Sequence, residues 1–269
     1  MTWQTGFIQS EDVKIHYYRQ GTGVPLIMAH GFSDSGACWQ AFAQHFVDAY
    51  DVILLDARAH GHSDASLVSN GNPAQARDVA NLIAALGLDR PIVMGHSMGA
   101  NTTLQVAVDL GDQIRAAILE DPPFIMQEPE QSTARVEEIR QGMMRWLGEM
   151  QGMPLEQLVM RCIKENPTWR AEELVAWAES KQQFATKAHH FGPRHFNPWQ
   201  DLLKALTVPS LLIVSNPARG GLVTAEAAAL ARRLSSHIEV GLIRDAGHCI
   251  RRESPVAYMK MVKGFLSEK

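Results

Sequence analysis

Cysteine is scarce in this 269-residue chain: Cys38, Cys162 and Cys249 are odd in number and far apart. They suit neither a disulfide framework nor a zinc ribbon and are read as free thiols. No stretch reaches the roughly 18 consecutive apolar residues of a membrane span. The start, Met1-Thr2-Trp3-Gln4-Thr5-Gly6, lacks a charged segment leading into an apolar run, so a cytoplasmic protein with no membrane partner is expected. Positive charge is also short, with 25 Lys and Arg against 29 Asp and Glu. The cations are scattered and form no basic stripe, so a small-molecule substrate is expected and nucleic acid is not. No internal repeat or low-complexity tract appears, and nothing fixes an oligomeric state.

What is present is the composition of a soluble globular protein, 46% apolar and 20% charged, enough to bury one large core. Short apolar runs alternate with longer amphipathic segments, the pattern of a largely parallel sheet flanked by helices in an α/β fold. Phe7 to Gln9 and Val13 to Tyr18 suggest an opening hairpin. Pro25 to Ala29, Val52 to Leu55 and Ile92 to Met94 are continuous apolar runs suited to buried parallel strands. Ala116 to Leu119, Leu211 to Val214 and Ile238 to Ile243 continue the series. Helical spacing appears at Ala74 to Leu86, Met98 to Leu110, Ala225 to Leu234 and Pro255 to Phe265. From about Asp121 to Ala205 strand signals give way to helical stretches, Val136 to Met150, Leu155 to Ile163 and Ala171 to Phe184. Their Met143, Met144, Trp146, Trp169 and Trp177 are read first as packing residues and second as pocket lining.

Gly95-His96-Ser97-Met98-Gly99 fits GxSxG between a strand-like and a helix-like run. A serine hydroxyl is a poor nucleophile unless a tight turn projects it toward a base, and the flanking glycines permit that turn. Ser97 would then open a helix, with the Met98 amide and the helix dipole facing a developing oxyanion. A serine in this place also serves as an ordinary helix cap. The surrounding motifs favour the catalytic reading.

Those motifs are His30-Gly31-Phe32, the segment from Asp56 to Asp64, Gly95 to Gly99 and Ala246-Gly247-His248. In content and order the chain resembles the α/β-hydrolase superfamily. The resemblance implies a mostly parallel eight-stranded sheet flanked by helices, a core domain over residues 1–121 and 206–269, and a helical cap over 122–205. It implies an oxyanion hole from the amides of Phe32 and Met98, a bracing role for His30, and His248 as general base. Cys249 is read as a packing thiol.

The family's commonest acid position, after the seventh strand and two residues before an apolar pair, is empty here. Ser215 to Gly221, preceding Leu222-Val223, contains no carboxylate, and Glu226 falls inside a helix. Some members of the superfamily carry the acid after the sixth strand, which points to Asp121, with Glu120 in reserve; capping of the next turn is the alternative use of either. His60, His62 and Asp64 mimic the start of a binuclear metal site, but Ala65 stands where a further histidine would continue it, so no metal is expected. His189, His190 and His195 lack strong ligand spacing. Arg161, Arg170 and Arg194 are candidates to bind a substrate carboxylate, but each is expected first at the surface.

The expected chemistry is acyl transfer without a cofactor, acting on a small-molecule carboxylic ester or lactone. An amide, or a C–C bond beside a ketone, is the second choice. A non-catalytic receptor would bind without turnover, and a cofactor-free dioxygenase of the same fold would consume oxygen and tolerate loss of Ser97.

Overall fold

The computed structural model describes residues 2–124, 138, 141, 142, 144–150, 152–185 and 199–269. Eight strands form one sheet in the order β1-β2-β4-β3-β5-β6-β7-β8. β1 (Gln4–Ser10) and β2 (Val13–Gln20) make the opening hairpin, and β2 joins β4 antiparallel. The remaining strands, β3 (Val24–Ala29), β4 (Tyr50–Leu55), β5 (Ile92–His96), β6 (Ala116–Glu120), β7 (Ser210–Val214) and β8 (Ile238–Leu242), run parallel. The central strands are buried on both faces, which is why they read as unbroken apolar runs rather than alternating ones.

One face of the sheet packs on α2 (Asn72–Ala85), α3 (Met98–Leu110), α6 (Trp199–Ala205) and α7 (Ala225–Leu234) through residues such as Ile27, Val93, Leu104 and Leu203. The other packs on α1 (Gln40–Ala43), α8 (Ile250–Glu253) and α9 (Pro255–Leu266) through Met28, Trp39, Met94 and Tyr258. α2 begins earlier than the apolar spacing predicts, because Pro73 is tolerated in a first turn that requires no amide donor.

Between β6 and β7 lie α4 (Leu155–Glu165), α5 (Ala171–Ala185) and a helical stretch at 144–150. They share a separate apolar cluster of Leu147, Leu158, Trp177 and Phe184, with Phe32 of the sheet domain packed against it. Trp146, Trp169 and Met144 also pack there, as expected of core residues. Of the expected helix Val136 to Met150, residues 136, 137, 139, 140 and 143 lie outside the described residues, and 138, 141, 142 and 144–150 are helical.

Candidate active site

Ser97 sits between the end of β5 and the first residue of α3, with φ 53° and ψ −112°. This backbone is strained for a residue with a Cβ. Its amide is tied to the Glu120 carbonyl at 2.8 Å and its carbonyl accepts from Asn101, so both sides of the turn are anchored. A Cβ on Gly99 would collide with the carbonyl oxygens of Ala29 and His30, so the glycine lets α3 close onto the end of β3. That approach brings in the next loop: a Cβ on Gly31 would lie 2.7 Å from His96 Nδ1 and 3.5 Å from Ser97 Cβ. Phe32 follows directly, and Met98 opens α3, whose first amides have no partner within the helix. His30 braces the loop as expected, its Nδ1 contacting the Gly31 carbonyl at 2.7 Å and its Nε2 accepting from the Ala57 amide at 3.0 Å.

His248 Nδ1 lies 2.7 Å from Asp121 Oδ2. Asp121 is fully buried and follows β6 in a left-handed conformation with φ 42°. It also accepts from the amides of Leu222 at 2.9 Å and Val223 at 3.2 Å. The loop that lacks an acid therefore supplies main-chain donors to the acid of the neighbouring strand. Glu120 is turned elsewhere. Its Oε1 accepts from the Arg251 amide at 3.0 Å, and burial raises its pKa while Arg251 opposes the rise.

His248 is linked to the serine turn through His96, whose Nε2 donates to the His248 carbonyl at 3.0 Å and whose ring lies 4.6 Å from the His248 ring. Burial, with His248 and Arg251 nearby, holds the His96 pKa well below the usual histidine range. Glu253 accepts from the amides of Gly247 and Cys249 on either side of His248, fixing the loop from below. Burial pushes the Cys249 thiol up to about 12, so it is not poised as a nucleophile.

A buried ionic network, not anticipated from the sequence, surrounds these loops. Asp34, two residues after Phe32, lies 2.7 Å from Lys181 Nζ of α5 and 3.1 Å from Arg252 Nη1 of α8. Burial alone would raise the Asp34 carboxyl, but Arg252, Lys181 and Arg251 together hold it well below the usual carboxylate range. Arg252 Nε donates to Glu173 of α5 at 2.9 Å, so α5 is pinned to the core by a cation and an anion at once. The available signal was position: Asp34 and Arg252 each stand within four residues of a motif.

The remaining candidates fall apart from this centre. His60 stacks on Phe184, His62 packs against His16, and Asp64 accepts from the Lys14 amide. Arg161 pairs with Glu149 and Glu165, and Arg170 with Glu172. His189, His190, Arg194 and His195 lie outside the described residues. Among the described residues, no helix is long and apolar enough to cross a membrane.

A strained serine between a parallel strand and a helix, with a histidine–carboxylate pair at the carboxyl ends of the strands, defines the α/β-hydrolase class of fold. Residues 24–253 match the family model described as alpha/beta hydrolase fold, and the chain belongs to that family. It is 29% identical over 253 residues to N-formylmaleamate deformylase of Pseudomonas putida, covering 91% of this chain and 90% of the relative. It is 24% identical to 2-(acetamidomethylene)succinate hydrolase of Mesorhizobium japonicum, covering 94% of this chain and 92% of the relative. Among solved structures, that of an E-2-(acetamidomethylene)succinate hydrolase superposes with a TM-score of 0.77 at 19% identity, over 99% of this chain and 100% of the other.

Proposed function

We propose that the chain is a serine hydrolase that cleaves a small-molecule carboxylic ester or lactone through an acyl-enzyme on Ser97. Ser97 Oγ attacks the carbonyl carbon while the amides of Phe32 and Met98 hold the oxygen that becomes negative. The Nε2 side of His248 takes the serine proton and returns it to the leaving oxygen. Water then repeats the sequence and releases the acid. Asp121 orients the imidazole and stabilises its charged form from the Nδ1 side. The mechanism uses no metal or cofactor. One observation carries this reading: the 2.7 Å contact between His248 Nδ1 and buried Asp121, beside a serine held at φ 53°.

A second reading, hydrolysis of an N-acyl amide, is favoured by the two full-length relatives, whose names describe removal of a formyl group and hydrolysis of an acetamido compound. The same serine, histidine and oxyanion donors perform both reactions, with nitrogen rather than oxygen taking the proton.

Intact-mass labelling with a fluorophosphonate tests the serine chemistry. Stoichiometric labelling that disappears in Ser97→Ala supports it, and a folded protein that does not label overturns it. Turnover of a panel of simple esters, lactones and N-formyl or N-acetyl amides then separates the two readings.

A further inference from the structure

The turn that carries Phe32 is tied to the helical insertion at two points. Gly31 to Asp34 form a four-residue turn closed by the Asp34 amide, which donates to the Gly31 carbonyl at 3.1 Å. Ser33, the third residue of the turn, stands at φ 65°. A positive φ in that place normally calls for glycine or asparagine, and a serine keeps it only where its surroundings hold it.

Lys181 of α5 supplies that hold. Its Nζ donates to the Ser33 carbonyl at 2.9 Å, to Asp34 Oδ1 at 2.7 Å and to Ser180 Oγ at 3.2 Å. All three ammonium hydrogens are used, two of them on the turn. A lysine is rarely buried without such partners, and Lys181 is 2% exposed. Three residues further along the same face of α5, the Phe184 ring meets the Phe32 ring with centroids 4.8 Å apart.

Charge balance alone does not account for this lysine. Asp34 already has Arg252 Nη1 at 3.1 Å, and a bond to a neutral carbonyl neutralises nothing. That bond starts a chain. The Ser33 carbonyl and the Asp34 amide belong to one planar peptide unit, and the Gly31 carbonyl and the Phe32 amide belong to another. Lys181 therefore holds the first unit, the first unit donates to the second, and the second ends in the amide proposed as an oxyanion donor. Every bond points the same way, from the cation toward the site of developing negative charge, so each polarises the next.

We propose that Lys181 is a positioning residue for the hydrolysis, orienting and polarising the Phe32 amide through these two peptide units. The oxyanion hole is then complete only with α5 docked. This rests on the serine reading above.

The test compares wild type, Lys181→Met and Glu173→Gln in their reaction with an alkyl fluorophosphonate, with the limiting rate and the half-saturating concentration read separately by intact mass. The phosphoryl oxygen gains charge where the Phe32 and Met98 amides are placed, so the limiting rate reports on the oxyanion hole. Glu173→Gln loosens α5 at its Arg252 contact and leaves the bond to the Ser33 carbonyl in place, which controls for lost stability. All reactions run below the onset of melting of the least stable variant. Lys181→Met should lower the limiting rate at least about tenfold, a part of the roughly 10²–10³ lost with a whole oxyanion donor, at an unchanged half-saturating concentration. Glu173→Gln should react as fast as wild type. If Lys181→Met does not fold, Lys181→Gln, which carries no charge and ends one bond short, takes its place with the same expectation. A wild-type limiting rate in the lysine variant, a loss confined to the half-saturating concentration, or an equal fall in Glu173→Gln would each overturn the role of Lys181. A folded wild type that does not label would instead overturn the serine reading, and the proposal with it.

Discussion

Asp121 and His248 are 127 residues apart in the chain, and their Oδ2 and Nδ1 atoms lie 2.7 Å apart. The carboxylate is held on its other side by two main-chain amides, those of Leu222 and Val223. It is thereby fixed in orientation without a second charged partner. A carboxylate placed in this way can set the tautomer of the histidine, leaving Nε2 to accept a proton.

Asp121→Asn is expected to lower turnover by about 10⁴, the scale seen when a triad carboxylate becomes an amide. Glu226 is exposed at the first turn of α7, so Glu226→Gln should leave turnover unchanged. Steady-state rates of the two variants on one ester decide the matter, and the reverse ranking would move the acid to α7.

Ser97→Ala should reduce turnover by roughly 10⁶ while leaving the melting temperature close to that of wild type. The second expectation follows because alanine keeps the Cβ, so the backbone cost at this position is unchanged and only a hydroxyl is lost. Near-normal hydrolysis by the folded variant would remove Ser97 as nucleophile.

Gly99→Ala places a methyl group against the carbonyl oxygens of Ala29 and His30. Overpacking of this kind costs about 1–3 kcal/mol. At about 2–4 °C per kcal/mol for a chain of this size, scanning calorimetry should show a clear fall in melting temperature. An unchanged melting temperature would mean that α3 can back away from β3.

Lys181→Met removes one of the cations around Asp34 and should cost about 3 kcal/mol at neutral pH, the scale for breaking a buried ion pair. The pH dependence has a definite sign. The folded Asp34 pKa lies below its ordinary 3.8, so the native state binds fewer protons than the unfolded chain. Its contribution is complete above 3.8 and is lost as pH falls through the lowered value. Urea midpoints taken from pH 7 down into this acid range should therefore fall less steeply in Lys181→Met than in wild type. Parallel profiles would show that Lys181 does not set the Asp34 ionisation.

The buried strands were legible because strands covered on both faces must be apolar throughout, and the serine turn because only glycines allow its close approaches. Glu120 and Asp121 are less easily told apart from sequence. They are adjacent, and what separates them is the left-handed backbone at Asp121, whose side chain meets His248 while Glu120 stays in the ladder beside Arg251. No local pattern encodes that turn in a non-glycine residue. The pairing of Asp34 with Lys181 is likewise set by how α5 docks, across 147 residues of sequence, and leaves no periodic trace. Family resemblance points to Asp121, and the amides of Leu222 and Val223 hold its carboxylate in place.

The hydrogen bond from the Ser97 amide to the Glu120 carbonyl makes the proposed nucleophile and acid belong to one ladder. A break in the chain between β6 and β7 would leave Ser97, Asp121, Phe32 and Met98 together on one fragment and His248 alone on the other. Reassembly of the two pieces would then return one proposed catalytic side chain, together with the Leu222 and Val223 amides that hold Asp121. With the acid after β7, two of the three side chains would have to be delivered together.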